Sequence, residues 1–163
     1  GGYFHEDYSP SGFLVADGKR IGERIFDAET SGLVVIDDGR VSIRDLNKFP
    51  IKNGERFDAA LQSYPFLVKN GEPGVRSDSG KLARRTAIGV DTAGTVYIIV
   101  VPSRSISLFA FMHELIATDI PFVSVLNLDG GPSTGIYTVW NGERIRADSM
   151  VPVPFVIRFK KEK

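Results

Sequence analysis

The polar residues with the clearest chemical potential in this chain follow one apolar run. Residues 121–126 are typical of a buried strand. The segment after it carries an amide, a carboxylate, two glycines and two hydroxyls: Asn127, Asp129, Gly130, Gly131, Ser133 and Thr134. Glycines let the backbone adopt positive φ and approach a ligand closely. A tight turn in which the aspartate bonds its own backbone would explain an isolated Asp-Gly-Gly. The crowding of polar groups directly after a buried strand favours a binding or catalytic site.

Residues 131–135 also fit the Gly-x-Ser-x-Gly pattern of serine hydrolases. That interpretation fails because the serine elbow needs a helix directly after the serine and a histidine further along the chain. Here a β-pattern follows, and both histidines, His5 and His113, precede the serine. His113 flanks a helical apolar stripe, so packing explains it. His5 lies beside the opening Gly-Gly-Tyr-Phe and is the more interesting of the two.

Four segments, in this order, resemble those of a known family. They are Gly-Gly-Tyr-Phe at residues 1–4, Pro-Phe-Leu-Val-Lys-Asn-Gly at 65–71, Arg-Thr-Ala-Ile-Gly at 85–89 and Asn-Leu-Asp-Gly-Gly-Pro-Ser-Thr at 127–134. Together they cover nearly the whole chain, which resembles the phosphodiester glycosidase family, the family of the lysosomal uncovering enzyme (N-acetylglucosamine-1-phosphodiester α-N-acetylglucosaminidase). The family has an asparagine before the first glycine. We therefore expect one domain, 1–163, that lacks an N-terminal segment.

The resemblance implies hydrolysis of a sugar-1-phosphodiester, which releases a sugar and a phosphomonoester. It implies Asp129 as nucleophile or as stabiliser of positive charge on the sugar, and Arg85 as the cation that holds the phosphate. The planar fork of arginine matches phosphate oxygens. Ordinary glycosidases need a second carboxylate to protonate the leaving alcohol. A leaving phosphate, with a second pKa of about 6, needs little such help.

The expected substrate contacts are Tyr3, Asn70, Asn127, Gly130, Gly131, Ser133 and Thr134. Asp7 and Asp78 are spare carboxylates that could activate water. Known relatives act on N-acetylglucosamine linked through phosphate to mannose, and many relatives are exported. We therefore expect an extracytoplasmic protein (periplasmic, secreted or in the cell envelope) whose substrate is a small-molecule or polysaccharide sugar phosphodiester, such as an exopolysaccharide.

Two alternatives stay open at this point. A non-catalytic carbohydrate-binding domain of the same fold could stack sugars on Tyr3, Tyr137 and Trp140. A phosphodiesterase could instead cleave the P–O bond with a divalent cation, calcium or magnesium. The sequence assigns no metal ligands.

The composition excludes several classes of function. Lysine plus arginine and aspartate plus glutamate each number 20, so the net charge is zero and the field that nucleic-acid binders use is absent. No apolar run approaches the roughly 20 residues of a membrane helix. The lack of cysteine excludes disulfides and a cysteine nucleophile, and two histidines cannot build a three-histidine zinc site. A carboxylate-rich calcium or magnesium site remains compatible with the sequence.

Turn chemistry and periodicity predict the fold. Asp17-Gly18, Asp38-Gly39 and Asn141-Gly142 each separate two β-patterns, which predicts antiparallel hairpins. Residues 104–117 predict one main helix, capped by Ser103 or Ser105. Further predictions are one or two helical turns at 56–62, a loop at 70–81, a last strand at 150–159 and a solvated tail at 160–163. We therefore expect an α+β fold in which a curved, mostly antiparallel or mixed β-sheet with several hairpins packs on the main helix.

Overall fold

The computed structural model describes residues 3–159 apart from the side chain of Trp140. Within this range the chain forms twelve β-strands, one α-helix and one short 3₁₀ helix. Their bounds are β1 (Leu14–Ala16), β2 (Lys19–Gly22), β3 (Gly32–Asp37), β4 (Arg40–Asp45), β5 (Ala59–Ser63), β6 (Phe66–Lys69), β7 (Glu72–Pro73), β8 (Ala83–Asp91), β9 (Val96–Ile106), α1 (Leu108–Ile116), β10 (Phe122–Asn127), the 3₁₀ helix (Gly131–Ser133), β11 (Ile136–Trp140) and β12 (Glu143–Ala147). The predicted tail at 160–163 lies outside the described residues.

The strands form two five-stranded sheets and a separate hairpin. The first sheet has the order β2-β1-β5-β3-β4, and the second sheet has the order β7-β6-β10-β8-β9. β11 and β12 pair only with each other in the described part of the chain. The pairings within all three are antiparallel. The chain passes from the first sheet to the second through Tyr64 and Pro65, which join β5 to β6.

The two sheets pack on each other through an inner core. Because side chains alternate between the faces of a strand, every second residue of these strands points into this layer. The inner core contains Leu14, Val34, Leu61, Phe66, Ile88, Leu126 and Leu128. At one point the sheets approach so closely that a Cβ on Gly32 would lie 2.2 Å from a methyl group of Leu126. The sheet-on-sheet contact therefore forms the centre of the molecule.

Each sheet also has a covered outer face. The loop after β4 covers the first sheet, where the buried cluster consists of Phe13, Val15, Leu33, Val35, Leu46, Phe57 and Ala60. Helix α1 covers the second sheet with Phe111, Met112 and Leu115, which pack against Leu67, Ala87 and Val125. The hydroxyl of Ser107 caps this helix by accepting from the Ala110 N–H at 3.1 Å.

The three predicted hairpin turns are confirmed. Both central residues of each turn have positive φ, for example 50° at Asp17 and 71° at Gly18, as a two-residue turn between right-twisted strands requires. Asn70 and Gly71, with φ of 54° and 79°, make a fourth turn of this kind between β6 and β7. Glycine, asparagine and aspartate tolerate this conformation best, which explains these residue types.

The predicted α+β class is wrong, because the structure consists mostly of antiparallel β-sheet. Helix α1 has nine residues and covers part of one outer face of the second sheet. The inner face of that sheet is covered by the first sheet instead. The helix is therefore an accessory to two packed sheets and does not organise the core. No helix in the described range is long and apolar enough to cross a membrane.

Three local predictions are also corrected. Residues 59–63 are strand β5 and not helix; Ala60 and Leu61 are buried on opposite faces, so the strand lacks the alternation that would have marked it. Strand β9 continues to Ile106, so the helix starts later than predicted and Ser107 caps it. Residues 150–159 form no regular strand, although Phe155 and Ile157 pack against the inner core.

Candidate active site

Two neighbouring strands of the second sheet bring the glycine loop, residues 129–135, next to the start of β8. Asn127 of β10 pairs with Ala87 of β8, and the Leu128 N–H donates to the Thr86 carbonyl at 2.8 Å. The next residues continue along β8. A Cβ on Gly130 would lie 2.8 Å from the Arg84 carbonyl oxygen and 3.5 Å from the Arg85 Cα. Only glycine lets the loop lie this close to the β8 backbone, and the contact sets Asp129 beside Arg85.

The Asp129 carboxylate is half-buried at the start of the glycine loop. Burial raises its pKa, while the Ser133 hydroxyl and the Gly130 N–H act in the opposite direction. Among the described residues Asp129 forms no ion pair within 4.0 Å. The carboxylate is therefore partly desolvated and has no ion-pair partner among the described residues.

The Arg85 guanidinium is anchored to backbone oxygens. Its Nε donates to the Ile106 carbonyl at 2.9 Å, and one of its terminal nitrogens donates to the Lys81 carbonyl at 2.7 Å. Burial lowers its pKa, and the nearby Tyr3 raises it. Because carbonyls and not a carboxylate hold it, Arg85 keeps its full charge and further N–H donors for a ligand. An anion is the ligand that this arrangement favours.

Tyr3 connects the two charged groups to the crossover between the sheets. Its hydroxyl donates to the Tyr64 carbonyl at 3.2 Å and accepts from Asn127 Nδ2 at 2.7 Å. Burial raises the pKa of Tyr3, and the charge of Asp129 adds to this while that of Arg85 opposes it. The phenol is therefore neutral at physiological pH and lies within electrostatic reach of both groups.

Asn127 is buried, and its side chain supports the site from below. Nδ2 donates to the Tyr3 hydroxyl and also to the Tyr64 carbonyl at 3.0 Å, while Oδ1 is buried with no partner among the described residues. The Asn127 carbonyl accepts from the Ser63 hydroxyl at 2.7 Å. The structure thus places Asn127 below the site in contact with Tyr3, Tyr64 and Ser63, and its direct contact with a substrate stays a prediction.

The remaining residues of the glycine loop divide into exposed and buried ones. Ser133 is half-buried beside Asp129, and Gly131 has φ of 57°. Thr134 is fully buried: its hydroxyl accepts from Thr86 at 3.3 Å, and its carbonyl accepts from the buried Arg84 at 2.7 Å. Thr134 therefore fixes the loop, and Ser133 is the hydroxyl that lies at the Asp129 carboxylate.

Asn70 is not brought to this site. It lies after β6, where Lys69 pairs with Ser124, at the opposite end of β10 from Asp129. Its side chain type is explained by its left-handed turn conformation.

The contacts of several other candidate residues do not include Asp129. Asp7 is exposed and accepts from the Ser9 N–H and hydroxyl, which lowers its pKa. Asp78 is exposed and accepts from the Gly80 N–H. Tyr137 lies exposed on the separate hairpin. His113 packs its ring on Phe109 of the same helix. Local turn and packing contacts account for these residues.

One aromatic residue of the site was missed by sequence reasoning. The Tyr64 ring lies 5.1 Å from the Tyr3 ring at an interplanar angle of 35°, and 39% of Tyr64 is exposed. Two hydrogen bonds fix its carbonyl, as described above. The signal in the sequence was a tyrosine-proline pair directly after a buried strand. Tyr3, the residue that Tyr64 contacts, is 61 positions away, so the sequence alone did not connect the two.

No cluster of three or more metal-ligating side chains occurs among the residues that the structure describes. The site as it stands consists of a half-buried carboxylate, an arginine held by carbonyls, and a pair of tyrosines. These groups can hold an anionic ligand and stabilise positive charge close to it.

Antiparallel sheets packed face to face place Asp129 and Arg85 at the ends of two adjacent strands, β10 and β8. The family model for phosphodiester glycosidases matches residues 1–160, and the chain belongs to this family of glycosidase-type hydrolases.

A solved structure shows the same fold. The catalytic domain of zebrafish N-acetylglucosamine-1-phosphodiester alpha-N-acetylglucosaminidase, auto-inhibited by its pro-peptide, superposes with a TM-score of 0.58 at 18% identity, covering 89% of this chain and 53% of that one. The chain thus spans about half the length of this relative. A hypothetical protein from Synechocystis gives a TM-score of 0.44 at 19% identity, covering 76% of this chain and 32% of that one. The comparison with curated proteins gives no match.

Proposed function

We propose that this protein hydrolyses the glycosidic bond of a sugar-1-phosphodiester and releases the sugar from a phosphomonoester. The observation that carries the proposal is the position of Asp129 beside Arg85 without an ion pair between them. Two charged groups that neutralised each other would offer little to a substrate. Here each is free to meet the part of a sugar phosphodiester that has the opposite charge.

Each group has a defined part in the proposed reaction. Arg85 binds the phosphate oxygens and stabilises the leaving phosphomonoester, which departs with the electrons of the C–O bond. Asp129 compensates the positive charge that develops on the sugar, by direct attack on the anomeric carbon or through space. The oxygen of water ends on the sugar, and its proton is released to solvent. N–H groups of the glycine loop are further donors for the phosphate.

The tyrosine pair supports a sugar as the other half of the substrate. Sugars stack their C–H faces on aromatic rings, and the half-exposed Tyr64 ring is fixed next to Tyr3. Membership in this family, together with the similarity to the zebrafish N-acetylglucosamine-1-phosphodiester alpha-N-acetylglucosaminidase, makes an N-acetylhexosamine a sensible first substrate. We further propose an extracytoplasmic protein that acts on exported sugar phosphodiesters, exopolysaccharides included.

The test is hydrolysis of a panel of sugar-1-phosphodiesters and nucleoside-diphosphate sugars, with and without added calcium or magnesium. The protein is compared with its Asp129→Asn and Arg85→Gln variants. Asp78→Asn is the matched control, since it removes an exposed carboxylate outside the site. We expect Asp129→Asn to lose at least about a hundredfold in kcat, Arg85→Gln to be impaired on every member of this anionic panel, and Asp78→Asn to match the parent. Thermal melts verify that each variant is folded.

Hydrolysis in oxygen-18 water tells which bond breaks. Label in the released sugar supports glycosidic cleavage, whereas label in the released phosphate would assign the protein as a phosphodiesterase. If no substrate is turned over while sugar binding persists in both site variants, the glycosidase proposal fails in favour of a carbohydrate-binding domain.

A further inference from the structure

A second concave site lies on the opposite side of the first sheet from the inner core. This outer groove has a volume of about 550 Å³ and lies between residues 20–26 and residues 51–57. Phe13, Val15 and Phe57 of the outer buried cluster form its floor. None of its lining residues belongs to the Asp129 site. The volume falls within the range of small-ligand sites.

The charges around the outer groove are unbalanced. Four cations and one carboxylate line it: Arg20, Arg24, Lys52, Arg56 and Glu55. Glu55 is already occupied, because it pairs with Arg44 at 2.8 Å and accepts from the Lys52 backbone N–H at 2.9 Å. Arg20 pairs with Glu23. The side chains of the remaining three cations form no ion pair or hydrogen bond within the described part of the chain.

This surplus is local, since the whole chain has a net charge of zero. Three cations around one concavity repel each other, and the repulsion is relieved when an anion binds among them. A single surface cation would be satisfied by water. Three uncommitted ones facing one groove indicate a ligand with more than one negative charge.

The Arg24 guanidinium lies over an aromatic ring at the groove. It lies 4.5 Å from the centre of the Phe26 ring, and its Nε has no acceptor within the described residues. Phe26 is 82% exposed, an unusual position for a phenyl ring, which this support of the guanidinium explains. An aromatic ring below an arginine leaves the edge of the guanidinium free for a planar pair of acceptor oxygens.

Ile25, which lies between Arg24 and Phe26, is hydrogen-bonded to the first sheet. The buried side-chain amide of Gln62 accepts from the Ile25 N–H at 3.0 Å and donates to the Ile25 carbonyl at 2.8 Å. The same amide donates to the Thr30 carbonyl at 2.7 Å. The wall of the groove is therefore preorganised, which lowers the entropic cost of binding.

We propose that the outer groove binds a soluble, multiply charged phosphate ester, with its phosphate between Arg24, Lys52 and Arg56. This site is separate from the one at Asp129 and does not depend on the proposed glycosidase function. Guanidinium and ammonium groups around a concave groove bind phosphate through charge-assisted hydrogen bonds. The orientation of Arg24 on Phe26 supplies the fork that distinguishes phosphate from a simple halide.

The experiment is titration calorimetry of the full chain with inorganic pyrophosphate at low ionic strength. All proteins carry Arg85→Gln, which removes the phosphate contact proposed at the other site. Arg24→Gln and Arg56→Gln remove one groove cation each. Arg40→Gln is the matched control, because Arg40 is exposed on the β3–β4 hairpin and does not line the groove.

We expect measurable binding that weakens by about tenfold or more in each groove variant, is unchanged in Arg40→Gln, and declines as salt is added. Absence of binding by the Arg85→Gln parent would overturn the proposal. Equal weakening by all three substitutions would also overturn it, because the effect would then be one of net charge alone. Binding to phosphatidylglycerol vesicles without binding to pyrophosphate would contradict the soluble ligand and assign the surface to a lipid.

Discussion

Replacement of Asn127 by alanine separates a positioning role from direct substrate contact. The asparagine is buried below the site, and its amide nitrogen binds both the Tyr3 hydroxyl and the Tyr64 carbonyl. Alanine removes both bonds without adding bulk. The Tyr3 hydroxyl still donates to the Tyr64 carbonyl, so neither partner is left entirely unpaired.

The expected loss of stability is modest. Two hydrogen bonds of about 1 kcal/mol each would cost about 2 kcal/mol. The substitution also removes the buried Asn127 Oδ1, which has no partner in the described residues. A buried oxygen without a partner destabilises the parent protein, so its removal offsets part of this loss. We therefore expect the free energy of unfolding to fall by about 1 to 2 kcal/mol, or Tm by about 2 to 8 °C for a domain of this size.

The effect on activity should exceed the effect on stability. Tyr3 and Tyr64 lose the donor that holds them together, so kcat/KM on a cleaved sugar phosphodiester should fall by at least about tenfold. Ser63→Ala is the control: it removes the bond to the Asn127 carbonyl at 2.7 Å and leaves the amide contacts in place. It should destabilise the protein to a similar degree and spare activity.

A double-mutant cycle with Tyr3→Phe tests the contact itself. Because the two side chains share a hydrogen bond, their effects on unfolding should not add, and the coupling free energy should be about 1 kcal/mol. Additive effects, or an Asn127→Ala protein with the kcat/KM of the Ser63→Ala control, would refute the positioning role.

Three further predictions follow from the site. Burial raises the pKa of Asp129, so protonation of this carboxyl stabilises the folded state at pH values below the ordinary aspartate pKa, and this contribution is lost as pH rises through the folded pKa. Thermal melts across pH should therefore show Asp129→Asn to be more stable than the parent at neutral pH and not at low pH. The reverse order would contradict the raised pKa. Gly130→Ala should unfold more easily than Gly131→Ala in urea, since its Cβ meets the fixed Arg84 carbonyl, while Gly131 has open space and costs only the strain of a positive φ, about 1 kcal/mol. Tyr64→Ala should raise KM for the sugar substrate with little change in Tm, and Tyr64→Phe should behave like the parent; an unchanged KM in Tyr64→Ala would exclude sugar stacking.

Local turn chemistry was readable from the sequence because it depends on adjacent residues. Asp38-Gly39 and Asn141-Gly142 need positive φ at both positions, and few other residues tolerate it. The apolar stripe of the helix was predictable for the same reason. The first residue of the helix was not, because strand β9 continues through residues that looked like a first helical turn. Strand β5 was mistaken for helix since both of its faces are buried and its apolar residues do not alternate.

The long-range features were not readable in the same way. The sheet-on-sheet core follows from pairings between distant strands, and the sequence alone suggested a helix as the partner of the sheet. The proximity of Asp129 and Arg85 was expected only from family motifs, and Asn70 was placed in the same group although its turn lies at the far end of β10. Tyr64 was missed because its role depends on Tyr3, which is close only in the folded chain.

The hydrogen bond between Tyr3 and Asn127 also has a consequence for folding kinetics. It joins residues 124 positions apart, so its formation closes nearly the whole chain into a loop. A loop of that length carries a large closure entropy unless the strands between its ends have already paired. We therefore expect the bond to form late, after the folding transition state, so that its loss accelerates unfolding and leaves the folding rate nearly unchanged. The contact that arranges the candidate site is then expected to contribute to the lifetime of the native protein rather than to the speed at which it is reached.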